Sequence, residues 1–114
     1  MLARANRLVR AADFREVVRR GRRSTTPGAV YYRLPRAADD PLRFGLIVSR
    51  AVGGAVDRNR LRRRYRAIGR ELVDAGGRSM DVVIRALPGA GALSWQALSA
   101  DVHGALDEVV GAGR

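Results

Sequence analysis

The stretch "DRNRLRRRYRAIGRELV", Asp57–Val73, carries seven arginines in seventeen residues. Placed on a helix at about 100° per residue, it separates into two stripes. Leu61, Tyr65, Ile68 and Leu72 recur at spacings of four, three and four, the signature of a core-facing side. Asn59, Arg63, Arg66 and Arg70 recur in the same way on the opposite side. Arg60 and Arg64 flank that row, and Arg58 and Arg62 lie nearer the apolar stripe. Like charges at these spacings repel by a few tenths of a kcal/mol per pair. Burial of the apolar stripe must supply what the local electrostatics oppose. A solvated helix would interleave Glu with Arg, yet no acid interrupts this row until Glu71 and Asp74. An anionic partner covering the face resolves the conflict. The helix N-terminus, where Arg58, Asn59 and Arg60 sit, adds backbone N–H groups and a dipole that favour phosphate.

Working outward, the chain reads as alternating elements. Towards the N-terminus, "AVYYRL" (29–34) and "RFGLIVS" (43–49) are β-branched, aromatic or apolar and read as strands. The second is more completely apolar, which predicts a central position. Joined by the polar "PRAADDP", the two suggest a loosely closed antiparallel hairpin. Before them, Asp13 is expected to cap a short helix carrying Phe14, Val17 and Val18, with Glu16 completing a capping box and Gly21 ending it. "RRSTTPG" between helix and strand reads as a loop. Beyond the Arg-rich helix, Gly76-Gly77 closes it and "MDVVIRAL" (80–87) is a third strand. Ser94 is expected to cap a last helix with Trp95, Leu98, Val102, Leu106 and Val109 on one stripe, and the tail 111–114 to fray. The order is α-β-β-α-β-α, an α+β domain with helices packed on one sheet. No repeat or linker divides residues 1–114, so one domain is expected.

Composition points to the partner. The chain has 114 residues, 46% of them apolar and 5% aromatic, so a core of Ala, Val, Leu and Ile is expected. Its net charge is +11, and all 22 basic residues are Arg. Arg offers a planar fork for phosphate and stacks on bases, although a compositional bias, in a chain also rich in Ala and Gly, is the better account of the missing Lys. Residues 1–70 hold 19 Arg against five acids, whereas 71–114 hold three Arg against six acids. The contact surface therefore belongs to the first two thirds and the scaffold to the last. Nucleic acid is the expected partner, ahead of an anionic membrane surface. The absence of Cys excludes disulfides, zinc ribbons and thiol catalysis. No run approaches the roughly 20 apolar residues of a membrane span, and the N-terminus lacks a secretory h-region. A cytoplasmic protein is expected.

No catalytic constellation emerges. His103 is the single His, remote in sequence from any nucleophile, and reads as structural. Asp39-Asp40 reads as a turn pair. "GGAV" and "GAGAL" lack the Lys-Ser/Thr of a phosphate loop. No small-molecule ligand and no protein-bound cofactor are expected. From the pattern alone Phe14 reads equally as core or surface. Tyr31 and Tyr32 must point to opposite sides of their strand, one expected in the core and one at the surface.

The motifs then match a known pattern. "NRL" near the start, "DF" (13–14) and "FGLIVSRAVGGAVDRNRLRRRYR" (44–66) resemble the protein subunit of bacterial ribonuclease P. The matching parts are Val48-Ser49-Arg50, then Val52-Gly53-Gly54-Ala55-Val56, then Arg58-Asn59-Arg60 with Arg63 and Arg66. The resemblance implies a fold like ribosomal protein S5 domain 2, with a left-handed crossover through the Arg-rich helix. It implies service to an enzyme whose catalytic centre and magnesium ions lie in an RNA subunit and which removes the 5′ leader of precursor tRNA. It places Arg50, Arg58, Asn59, Arg60, Arg62, Arg63, Arg66 and Arg70 on the surface towards that RNA. It places Phe14, Val18 and Tyr32 in a leader-binding cleft between the first helix and the sheet, with Tyr31 replacing Tyr32 in another alignment. Val18 stands where the family often has a second aromatic, Gly54 where it often has Asn, and Arg where it often has Lys. A ribosomal RNA-binding assembly protein is the alternative; it would need no open cleft beside Phe14.

Overall fold

The structure is a computed structural model and describes residues 2–111. Eight regular elements follow one another: α1 (Ala11–Arg20), β1 (Arg22–Thr25), β2 (Ala29–Pro35), β3 (Arg43–Ile47), α2 (Ala55–Asp74), β4 (Met80–Ala86), α3 (Trp95–Ala105) and α4 (Asp107–Gly111). The expected order holds, with β1 added before β2 and a break at Leu106 separating α3 from α4. Of the tail expected to fray, 112–114 lie outside the described residues.

The four strands form one sheet in the order β1-β2-β4-β3. β2 pairs antiparallel with β1 and with β4, and β3 pairs parallel with β4. The hairpin expected between β2 and β3 does not form, and β3 is not central. The β2–β3 connection spends its backbone hydrogen bonds on the approach to β4: Arg36 N donates to Ser79 O at 2.8 Å and Ser79 N to Asp40 O at 2.8 Å. β4 is thereby drawn between the two strands. Its Val82, Val83 and Ile84 are at most 1% exposed, the deepest run in the sheet. A parallel pair needs a long crossover, and α2 supplies it. β1 was unreadable as a strand because "RRST" carries no apolar alternation; it is a polar edge held by pairing with β2. The outer edge of β3 is covered by the N-terminal segment, whose Leu8 N–H donates to Phe44 O at 2.8 Å.

One face of the sheet carries the main core: Tyr31, Phe44, Val82 and Ile84 meet Leu61, Tyr65, Ile68 and Leu72 of α2 and Leu98, Val102, Leu106 and Val109 of α3–α4. Ser94 Oγ accepts from Ala97 N at 3.1 Å, the expected cap. Burial pushes the Tyr31 phenol well above its ordinary range, helped by its 2.6 Å hydrogen bond to Asp101. The other face is covered by α1 alone, over Leu8, Val17, Val30, Tyr32 and Val83. Under α1, Arg43 grips the buried Asp81 through two bonds of 2.8 and 2.7 Å. That carboxylate raises the Arg43 pKa.

Asp13 does not cap α1. The helix begins earlier, after Arg10. Asp13 sits in its first turn, where its carboxylate faces Arg43 at 3.8 Å. Glu16 pairs with Arg20 at 2.9 Å rather than closing a capping box.

Candidate nucleic-acid interface

Two surfaces carry the expected site residues. The first is the outer side of α2. Gly53, at φ 155°, turns the chain out of a 3₁₀ turn (Arg50–Val52) into the helix. Gly54 stands at the N-cap with no side-chain acceptor for the first-turn N–H groups. Asn59, Arg60, Arg63, Arg66 and Arg70 are exposed, as is Arg50, while Arg58, Arg62 and Arg64 are half-buried. Arg62 lies against the fold, donating to Asn59 Oδ1 at 3.1 Å and Val48 O at 3.4 Å. Arg60 meets Asp57 at 3.4 Å and Arg70 meets Asp74 at 3.2 Å. Both are exposed pairs of small energetic value. The middle of the row, Arg63 and Arg66, faces solvent in a groove of about 770 Å³ shared with Val56, Asn59, Arg62 and Arg7. Arg7 was not singled out by the sequence reading, because no periodicity links it to α2. It arrives there because its guanidinium is pinned to Leu2 O at 2.7 and 3.0 Å.

The second surface is a groove of about 560 Å³ beside α1, lined by Phe14, Arg15, Val18, Arg19 and Ile47 among others. Phe14 is half-buried and Val18 is 37% exposed. These two come together as expected. Tyr32 does not join them as a surface ring: it is 6% exposed and belongs to the small core under α1. Tyr31 is buried on the opposite face, so neither tyrosine is at the surface. The β-branched Ile47 of β3, not an aromatic of β2, forms the sheet side of the opening. The strand registers add two arginines that sequence spacing hid. Arg23 pairs with Tyr32, and Arg85 pairs with Val30 and Ile47, so both point to this face. Both are exposed.

The two surfaces communicate. A crevice of about 260 Å³ runs past the N-terminal segment and is lined by Phe14, Leu8 and Val9 on one side and Arg62 and Arg66 on the other. The groups set aside in the sequence stay structural. His103 meets Glu71 of α2 at 3.1 Å, and Asp40 meets Arg36 at 3.6 Å. Among the described residues, no three His, Cys, Asp or Glu side chains gather as metal ligands. No helix among them is long and apolar enough to cross a membrane.

An α+β sheet with one fully covered face, an Arg-rich row along α2 and an apolar groove flanked by arginines on the other face fits a small RNA-binding protein. The sequence comparisons narrow the class. A profile of the ribonuclease P family matches residues 2–110. The ribonuclease P protein component of Clavibacter michiganensis subsp. michiganensis is 44% identical over 110 residues, covering 96% of this chain and 97% of the relative. That of Rhodococcus opacus is 46% identical over 112 residues, covering 93% and 90%. The chain belongs to the ribonuclease P protein family. Solved structures agree in fold. A mutant RNase P protein of Staphylococcus aureus superposes with a TM-score of 0.82 at 23% identity, over 91% of this chain and 87% of that one. The RNase P protein of Thermotoga maritima gives 0.79 at 21%, over 90% and 96%.

Proposed function

We propose that this chain acts in tRNA 5′ maturation as the protein subunit of ribonuclease P, binding the catalytic RNA through α2 and the 5′ leader of precursor tRNA through the groove beside α1. The observation that carries the reading is the exposed row Asn59, Arg63, Arg66 and Arg70, free of intervening acids and backed by a buried apolar stripe. Each arginine brought to a phosphate releases counterions and adds affinity. Phe14 and Val18 offer an apolar wall for bases, and Arg15, Arg19, Arg23 and Arg85 offer cations for the leader backbone. In this reading magnesium and the bond-breaking chemistry belong to the RNA, and the protein contributes affinity, placement and charge screening in the cytoplasm. The ribosomal alternative is not favoured, since the relatives are ribonuclease P protein components.

The test is cleavage of 5′-labelled precursor tRNA at low magnesium with cognate ribonuclease P RNA. Cleavage at the mature 5′ end is expected when RNA and protein are both present, and none with protein alone. Cleavage indifferent to the protein, together with tight RNA binding, would transfer the chain to general RNA binding.

A further inference from the structure

Trp95 is the single tryptophan of the chain. The 95/98/102/106/109 stripe predicts it to be core, and four of the five are: Leu98, Val102, Leu106 and Val109 are at most 1% exposed. Trp95 breaks the pattern with 37% of its surface open. It stands at the first position of α3, and no indole N–H bond forms with the other described residues.

One arginine of α2 reaches the approach to α3. Arg64 of α2 donates to Leu93 O at 3.3 Å, two residues before Trp95. Arg60 lies one turn earlier on the same flank of α2 and is exposed. The 3₁₀ turn Pro88–Ala92, which leads into α3, packs beside the turn Arg50–Val52, with Gly91 facing Val52 O. His103, two turns further along α3, meets Glu71 of α2. In helical phase Trp95 falls on the half of the buried stripe nearer His103, the side of α3 that turns towards α2. The nearby acid Asp57 is already engaged by Arg60.

A partly exposed indole beside an arginine-bearing flank of α2 suits a nucleobase, whose π-face stacks on the ring while the neighbouring phosphates meet the guanidinium groups. An acidic protein partner would use the same charges but gives no reason for a lone aromatic at the corner. We propose that Trp95 stacks on an unpaired base of the RNA held by α2, with Arg60 and Arg64 on the flanking phosphates. This rests on the RNA-binding reading of α2 and extends the interface from one helix to the α2–α3 corner.

The test is a titration of the full chain with ribonuclease P RNA, following indole emission and measuring affinity for the parent, Trp95→Ala and Trp95→Phe at several salt concentrations. Quenching of the indole that saturates with binding is expected. Trp95→Ala should weaken binding by about fivefold or more, the loss of one base stack. Its salt slope should match the parent, because no charge is removed. Trp95→Phe should recover most of the loss. Far-UV circular dichroism and thermal unfolding of both variants separate a lost contact from a loosened fold. Emission unmoved at saturation, or Trp95→Ala binding within about twofold of the parent, overturns the stack and leaves α2 binding intact. An equal loss in Trp95→Phe and Trp95→Ala also overturns it, since a packing defect then suffices. A parent chain that fails to bind the RNA at all rejects the reading of α2 itself.

Discussion

Phe14 owes its place to a residue without a side chain. Its ring stands over Gly45 of β3, where an added Cβ would collide with two ring carbons and press Leu8 Cδ1 at 3.1 Å. The glycine lets α1 approach the sheet closely enough for one side of the ring to seal the small core and the other to border the groove. Gly45→Ala should therefore cost about 1–3 kcal/mol through overpacking, and it should displace the ring. Phe14→Ala removes ring and packing together. Phe14→Leu keeps much of the packing and loses the flat face. If the ring contacts leader bases, both Phe14 variants should lower the preference of the holoenzyme for precursor over mature tRNA, with Phe14→Leu closer to the parent in thermal unfolding. Binding ratios measured beside unfolding midpoints check this. A preference unchanged in Phe14→Ala would leave the ring a purely structural seal.

The helix α2 shows what can be tested, and read, at the level of an element. Arg63→Ala and Arg66→Ala remove exposed cations, so each should reduce the salt slope of RNA binding by about one while weakening affinity for all sequences alike. Each should also relieve like-charge repulsion in the free helix by a few tenths of a kcal/mol. Arg62→Ala differs, because Arg62 also bridges to Asn59 and Val48 O; it should lower both affinity and the unfolding midpoint. Filter binding across salt concentrations with parallel thermal melts distinguishes the two kinds of arginine. This helix was legible because burial and charge repeat along it with the same period. Strand pairing was not. Proximity in sequence argued for β2 beside β3, but register follows backbone hydrogen bonds that connect 36–41 with 78–79, and no local pattern announces them. β1 was missed because an edge strand needs no apolar alternation. Tyr32 was misplaced because alternation tells which face a residue takes, not whether a helix covers that face. The groove arginines Arg23 and Arg85 became visible only with the register, and Arg7 only with the segment that lies along β3.

Across the whole molecule, several acids are used to build the scaffold, while Arg63 and Arg66 in the middle of the α2 row meet no acid among the described residues and face solvent. Asp81 is clamped by Arg43, Asp101 accepts from Tyr31 and Thr26, Glu108 bridges Arg22 and Arg33, and Glu71 holds His103. The first joins β3 to β4, and the other three tie α3 and α4 to the sheet and to α2. The densest cationic segment behind the net charge of +11 is α2, with seven Arg against three acids, and there the charge opposes the compact state until an anion arrives. A ligand that binds the folded chain alone stabilises it by about 2.7 kcal/mol at one hundred times its dissociation constant. For a domain of this size each kcal/mol raises the midpoint by about 4 °C. Sulfate or phosphate at low millimolar concentration should therefore raise the unfolding temperature by several degrees over chloride at equal ionic strength. The low concentration keeps general exclusion of sulfate from protein surfaces small, and equal ionic strength holds screening constant. The gain should shrink in the double variant Arg63→Ala/Arg66→Ala, which removes the groove cations without touching the core. Equal midpoints in sulfate and chloride would mean that the repulsion along α2 is already balanced within the fold, and that the arginine row does not by itself demand an anionic partner.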